Sequence, residues 1–360
     1  MEVVRFSSRS SDPAPHIDVE ARERGEAMKT SDTLSKLALA AIFAAALTAA
    51  NQALSQAPTA QTPAAQTRQG TADLGMGPGG VRLGPGLSAA TAGDASYHNG
   101  AIPKRMRVLA WGDVTQGYQH DSVSHALATI ERLGYETGLW DTFIRTDSQL
   151  ITKKPVVGAD GQPLLYGKNL NDFDAIFFFG VREIDLKPDQ MADLLSFVHD
   201  DGKGFVVAHA GLTGFFSSPE FGEMIGGRFD DHPWGIIQAP VIVEDSKFPG
   251  MSHLPATFDH VDEYYQVKDF SREKSHVILR LDVSHLDTSF PSVHRHDGDF
   301  PQAWAKMYGK GRVYVSALGH DPSTWDDRSV QEMYFEAIKW ALGLTDADIT
   351  PRAMPGAQGK

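Results

Sequence analysis

The chain of 360 residues contains no cysteine. This absence excludes disulfide bonds, thiolate metal ligands, a cysteine nucleophile and an anchor attached through a lipidated cysteine. Basic residues are also few, since 33 lysines and arginines face 46 acidic residues and give a net charge of −13 at pH 7. No basic cluster offsets this charge. We therefore expect no nucleic-acid partner, because phosphate contacts need a basic surface.

One short apolar run interrupts an otherwise polar N-terminal region. Two lysines precede the run at residues 37–50, and the sequence Ser-Gln-Ala follows it at 55–57. A basic start, a short apolar core and a small-x-small site are typical of a secretory signal peptide. We predict that residues 1–57 are an extension with a signal peptide starting at Met28, and that the protein is periplasmic with no stable membrane span after cleavage. An uncleaved N-terminal anchor is the alternative.

The composition changes again after the apolar run. Residues 58–100 are rich in alanine, glycine, proline, glutamine and threonine, so they cannot bury enough apolar surface to offset the entropy of ordering. We predict a disordered linker at 58–100, a folded domain at 101–350 and a C-terminal tail at 351–360. A domain of about 250 residues is long enough for one substantial core.

Strand and helix patterns alternate through the first half of the folded part. In chain order they predict a strand at 105–111, a helix at 121–133 ended by Gly134, a strand at 135–140, a strand at 173–180, a helix at 188–199 and a strand at 205–208. The second half is richer in strands, at 238–244, 264–268 and 276–282, with a hairpin of 302–307 and 312–318 and a closing helix at 330–342. This order predicts a doubly wound α/β domain with a β-rich insertion.

Histidines follow several of these predicted strands. In a doubly wound sheet, ligands bind at the carboxyl ends of the strands, so we expect these side chains to meet in one pocket. The predicted catalytic residues, which are also the predicted ligands of one zinc-like or manganese-like divalent ion, are His120, His209, Glu263 and His320. Imidazole and carboxylate are the usual ligands of such ions, and the same groups could act as acid and base without a metal.

Aromatic and polar side chains near these histidines are candidates for contact with a substrate. The predicted substrate-binding residues are Tyr118, His232, Trp234 and Tyr265. Each candidate also has a purely structural alternative. The aromatic rings could pack in the core, His209 could be a buried histidine bonded to a carbonyl, and Asp262 with Glu263 could form a solvated acidic turn. The chain has no P-loop, no G-x-G-x-x-G after the first strand and no G-x-S-x-G elbow, so we predict no nucleotide cofactor.

Seven short motifs together carry a family resemblance. They are QHDS (119–122), GFVVAHA (204–210), IGGRFDDHP (225–233), VED (243–245), DEYY (262–265), QAW (302–304) and GRVYVSALGHD (311–321). Their order resembles that of the ThuA-like, or trehalose-utilisation, family over residues 105–344, so 101–350 is identified as a ThuA-like domain. The resemblance implies a flavodoxin-like three-layer sandwich, similar to class I glutamine amidotransferases.

The resemblance also implies a carbohydrate substrate. In the related amidotransferases a cysteine occupies the turn where this chain has His209, so a chain without cysteine is not a glutamine amidotransferase. The family's association with disaccharide and glucoside use implies hydrolysis or other processing of a glycoside or 3-keto-glycoside. Two departures, Phe248-Pro249 and Phe300-Pro301 in place of His-Pro pairs, keep open a second hypothesis, a non-catalytic sugar-binding or scaffold domain.

Overall fold

The computed structural model describes residues 105–355. The predicted signal peptide and linker at 1–100 lie outside the described residues, and the tail beginning at 351 is described only as far as 355. Among the helices of the described residues, none is both long enough and apolar enough to cross a membrane. Because the predicted signal peptide lies outside the described residues, export stays a prediction from the sequence.

The described residues form eleven β-strands and four α-helices, with strands and helices mixed in the first half and seven strands in succession in the second. The strands are β1 Met106–Trp111, β2 Trp140–Arg145, β3 Ala175–Phe178, β4 Gly204–Ala208, β5 Arg228–Asp231, β6 Ile236–Val243, β7 Thr257–Glu263, β8 Gln266–Lys268, β9 His276–Leu281, β10 Pro301–Tyr308 and β11 Gly311–Ser316. The α-helices are α1 Ser122–Thr137, α2 Pro188–His199, α3 Pro219–Ile225 and α4 Arg328–Ala341.

Most of the strands form one sheet of nine, in the order β2-β1-β3-β4-β11-β10-β9-β6-β7. The first five of these strands pair in parallel. Counted along the chain, their order is 2-1-3-4-5, which is the flavodoxin-like order. The remaining strands extend the sheet in antiparallel pairs, and β5 and β8 form a separate two-stranded sheet. The predicted flavodoxin-like α/β class is confirmed.

The parallel strands β1, β3, β4 and β11 are buried on both faces, whereas β2 lies at the edge of the sheet and is largely exposed. Along β1, Val108 and Ala110 face one apolar cluster, whereas Leu109 and Trp111 face the other. Helices α1 and α4 supply side chains to the first cluster, and α2 and α3 supply side chains to the second. Because successive side chains of a strand point to opposite faces, the continuous apolar runs require a helical layer on each side of the sheet.

The predicted strand at 135–140 is wrong. Helix α1 continues through Gly134 to Thr137, and Gly138 ends it in the left-handed region at φ +70°. A β-carbon on Gly134 would collide with the indole of Trp140, so this glycine serves the close approach of helix and strand rather than a helix end. Strand β2 begins only at Trp140.

The strand-rich half contains both a confirmed element and missed ones. The predicted hairpin is present as β10 and β11, with Tyr308 opposite Gly311. Strand β7 was not predicted, because it lies at the edge of the sheet and most of its side chains are exposed or only half-buried. Glu263, expected in a loop, is the last residue of this strand.

Candidate functional site

His209 follows strand β4 directly and has a strained backbone. Its φ of +40° is unusual for a residue other than glycine and costs about 1–3 kcal/mol. The ring is completely buried and stacks on Tyr265, with the ring centroids 4.6 Å apart. Nδ1 lies 2.6 Å from the carbonyl oxygen of Ala317, which can only accept, so Nδ1 carries the proton. In the neutral ring, Nε2 therefore presents a lone pair to the site.

Two other side chains meet this nitrogen. His320 Nδ1 lies 3.2 Å from His209 Nε2. Glu263 Oε2 lies 3.1 Å from His320 Nδ1 and 3.6 Å from His209 Nε2. Ligands of a tetrahedral ion with bonds of about 2.0–2.1 Å are separated by about 3.3 Å. The three donor atoms therefore have the spacing of one face of a zinc-like coordination tetrahedron.

His120 completes the group from the loop after β1. Its Nδ1 lies 3.2 Å from the Tyr118 carbonyl oxygen, which leaves Nε2 without a main-chain partner. Its ring centroid lies 5.0 Å from those of both His209 and His320. The four side chains each offer a donor atom, and these four atoms lie within 4.8 Å of one another. We call this four-residue group the His/Glu cluster.

Burial and mutual contact set the charges of the His/Glu cluster. Burial, followed by the two neighbouring histidines, lowers the pKa of His120 to about 4, so its ring is neutral at pH 7. Burial alone would raise the pKa of Glu263, but contacts with His209 and His320 outweigh it and hold that pKa well below its usual range. The same carboxylate raises the pKa of His320. The cluster therefore combines an ionised carboxylate with neutral and ionisable imidazoles.

Tyr265 contacts the His/Glu cluster through its hydroxyl group. Burial and the nearby Glu263 carboxylate raise the pKa of its hydroxyl well above its usual value, so it stays protonated. That hydroxyl lies 2.9 Å from His209 Nε2 and can donate to its lone pair. A ligand that takes this lone pair must displace the Tyr265 hydrogen bond.

A cavity of about 390 Å³ opens over the cluster. Its volume falls within the range of small-molecule pockets, about 300–1,000 Å³. The lining residues are Tyr118, His120, Val181, Arg182, Thr213, Phe229, His232, Glu263, Tyr265 and His320. His232 Nδ1 lies 3.5 Å from Glu263 Oε1, and the ring of Tyr118 stacks on that of His320 at 6.3 Å.

The structure brings most of the predicted site residues together. The four predicted catalytic and metal-binding residues form the His/Glu cluster, and Tyr118, His232 and Tyr265 line its cavity. Trp234 is the exception, because its Nε1 donates to the Asp287 carbonyl and its ring packs on Phe300. Trp234 is not among the residues that line the cavity, so its role in substrate binding stays a prediction.

Sequence reasoning missed several residues of the cavity. Val181 and Arg182 follow the predicted strand at 173–180, so the rule that ligands bind at strand ends could have identified them. Thr213 lies in the short 3₁₀ helix after β4, and Phe229 lies in β5. Phe229 belongs to the motif at 225–233, but its local sequence does not indicate contact with a ligand, and no motif marks Thr213. Tertiary packing brings both residues to the cavity.

Asp262, which the sequence marked only as part of a motif and a possible acidic turn, is a further residue of the site. It is completely buried rather than part of a solvated turn. Its carboxylate accepts hydrogen bonds from the backbone N–H groups of Glu263, Gly319 and His320, at 2.8, 2.8 and 3.0 Å. Asp262 therefore holds the main chain of two members of the His/Glu cluster at once.

If the His/Glu cluster holds a zinc ion, replacing Asp262 by asparagine should weaken that binding by about 10–100-fold, the range for outer-shell partners. The amide would point an N–H group at a backbone N–H group and loosen the Gly319–His320 turn. Titration calorimetry with zinc, on protein shown by circular dichroism to be folded, measures the effect. Asp259→Asn, at an exposed position of the same strand, is the matched control. Equal zinc affinity of Asp262→Asn and the control would contradict the positioning role.

Comparisons with known proteins agree with this architecture. The family model described as ThuA, trehalose utilisation, matches residues 107–341. A solved structure from Bacteroides uniformis, described as a putative ThuA-like protein, is 19% identical to this chain with a TM-score of 0.53. The match covers 68% of this chain and 95% of the Bacteroides chain. Another, from Parabacteroides merdae and also described as ThuA-like, is 14% identical with a TM-score of 0.50, covering 70% and 94%. No curated protein sequence matches significantly. At these identities the two structures share the fold alone.

Proposed function

This chain belongs to the ThuA family, and we propose that it is an enzyme that holds one divalent metal ion in the His/Glu cluster and processes a glycoside or 3-keto-glycoside. The observation that carries the proposal is the spacing of three donor atoms. His209 Nε2, His320 Nδ1 and Glu263 Oε2 lie 3.1–3.6 Å apart at the floor of an open cavity.

The donor set fits a zinc-like ion. Three imidazoles and one carboxylate are ligands that such ions accept, and the backbone carbonyls bonded to His120 and His209 orient both rings. When bound, the ion would supply Lewis acidity and lower the pKa of a water molecule toward about 7. In a chain without cysteine, that water would provide the nucleophile.

Two residues beside the cluster would bind the sugar and transfer protons. His232 lies on the open side of Glu263, with 46% of its side chain exposed, so it can exchange a proton between the cavity and solvent. Tyr118 presents an exposed ring at the entrance, where the face of a sugar ring could stack. The carbohydrate substrate itself is proposed from the family.

The altered His-Pro positions give little support to a non-catalytic domain. Phe248 packs on Tyr314 and Trp340, and Phe300 packs on Trp234. Both phenylalanines are buried, and neither lines the cavity. The departures from the family pattern therefore leave the His/Glu cluster unchanged.

We expect full-length protein, stripped of metal and then reloaded with zinc or manganese, to bind about one ion per chain and to convert a 3-keto-glucoside or its parent glucoside. Elemental analysis and product chromatography provide the measurements. His320→Ala should abolish both properties, whereas His253→Ala, at an exposed position outside the cavity, should retain them. Folded wild-type protein that binds no divalent ion and converts no substrate would refute the proposal. Sugar binding that persists in His320→Ala without any product would favour the non-catalytic hypothesis.

A further inference from the structure

Arg182 lies at the cavity wall in a strained backbone conformation. Its φ is +55°, in the left-handed region that side chains other than glycine rarely adopt. Two hydrogen bonds hold it there, because its N–H donates to Thr213 Oγ1 at 3.0 Å and its carbonyl accepts from the Phe215 N–H at 2.8 Å. Strain of this kind persists only where the surroundings over-determine the conformation, and it is common at ligand sites.

The aliphatic part of the Arg182 side chain is also held in place. It packs against Gly117, where a β-carbon would lie 3.0 Å from Arg182 Cγ and 3.1 Å from Cδ. Gly117 itself has a φ of +75°, so both its backbone conformation and this contact favour glycine. Backbone and side chain together direct Arg182 along the cavity wall beside the loop that carries Tyr118 and His120.

The guanidinium of Arg182 has no acidic partner among the described residues. Every other arginine of residues 105–355 except Arg328 has a carboxylate oxygen within 3.6 Å. Glu183, next in the chain, instead accepts a hydrogen bond from Ser217. The Arg182 side chain is exposed at the wall of the cavity, so its charge is open to a ligand there.

We propose that the substrate is an anionic saccharide whose carboxylate or phosphate group binds Arg182. The planar fork of a guanidinium matches the oxygens of either group and forms paired, charge-assisted hydrogen bonds. The sugar ring would then lie between Arg182 and the His/Glu cluster, since both line the same cavity. This inference rests on the proposed function for the site and adds the charge of the substrate to it.

Titration calorimetry at low salt with matched ligands tests the inference. Wild-type protein should bind methyl β-D-glucuronide at least about tenfold more tightly than methyl β-D-glucoside, as expected for one charge-assisted contact. Glucose 6-phosphate is the third ligand to be titrated. If it binds more tightly than the glucuronide, Arg182 recognises a phosphate, and if the glucuronide binds more tightly, Arg182 recognises a carboxylate. Arg182→Gln, in protein shown by circular dichroism to be folded, should abolish the preference, whereas Arg182→Lys should retain part of the preference. Arg328→Gln removes an arginine charge outside the cavity and should retain the full preference for the acidic ligand.

The outcomes separate this inference from the proposed enzyme function. A wild-type protein that binds neither acidic ligand, or shows no preference for them, overturns the inference even if neutral keto-glucosides are converted. A preference that survives in Arg182→Gln also overturns it, because another group would then recognise the charge. A preference lost in Arg182→Gln, in a protein without metal binding or turnover, supports the inference and overturns the enzyme proposal.

Discussion

Replacing Glu263 by glutamine is expected to reduce zinc affinity by more than about 100-fold, beyond the range for outer-shell partners. Glu263 is the only carboxylate among the residues described as lining the cavity, and it contacts His209, His232 and His320. Glutamine keeps the size of the side chain but removes the charge that attracts a cation. The catalytic efficiency kcat/KM should fall by about 10²–10⁴-fold, the range for one positioned acid–base group.

The matched control for this variant is Glu273→Gln. Glu273 is exposed and forms no ion pair within the described residues, so the same chemical change there should leave zinc affinity and turnover unaltered. Calorimetry with zinc and steady-state kinetics on the two variants provide the comparison. A Glu263→Gln protein that binds zinc as tightly as the Glu273→Gln protein would show that the cluster is not a metal site.

Replacing Arg272 by methionine is expected to lower the free energy of unfolding by about 3–5 kcal/mol, as for other buried charges that lose a partner. Arg272 is largely buried and forms paired hydrogen bonds with both Glu244 and Asp299, at 2.7–2.9 Å. It thereby joins the loop after β8 to the segments after β6 and before β10. Methionine fills a similar volume but leaves two buried carboxylates short of donors.

Urea unfolding at neutral pH measures this loss. Arg105→Met breaks an exposed pair with Asp141, whose side chains are 40% and 60% accessible, and should cost no more than about 1 kcal/mol. Arg280 contacts Glu244 at 2.6 Å and is unchanged in the Arg272→Met variant, so it should offset part of the loss. Equal unfolding free energies for the Arg272 and Arg105 variants would show that Arg280 compensates fully and that the prediction is wrong.

The sequence predicted the part of the site that lies on parallel strands. An unbroken apolar run before His209 indicated a buried strand, and the same logic led to His320 after β11. Glu263 was harder, because it ends an edge strand whose polar residues resemble a loop. Asp262 was missed as a positioning group because nothing in its local sequence distinguishes a buried carboxylate from a solvated one.

Two differences between the prediction and the structure share a physical cause. A glycine in a helical pattern can end the helix or allow close packing, and only the position of the Trp140 indole decides this for Gly134. An aromatic residue near a motif can face the ligand or the core, and the carbonyl of Asp287 decides this for Trp234. In each case a contact distant in sequence selects between two local alternatives.

By itself, the sequence determined the fold class, the direction of the buried strands and the residue types available for chemistry, because alternation and helical spacing are properties of short segments. It also excluded thiol chemistry by containing no cysteine. Only the tertiary structure decided which side chains lie close enough to change one another's protonation. His209 and His320 are separated by 111 positions along the chain, yet their ring nitrogens lie 3.2 Å apart. Proton affinity depends on burial and on such neighbours, so the chemistry of this site is a property of the folded chain.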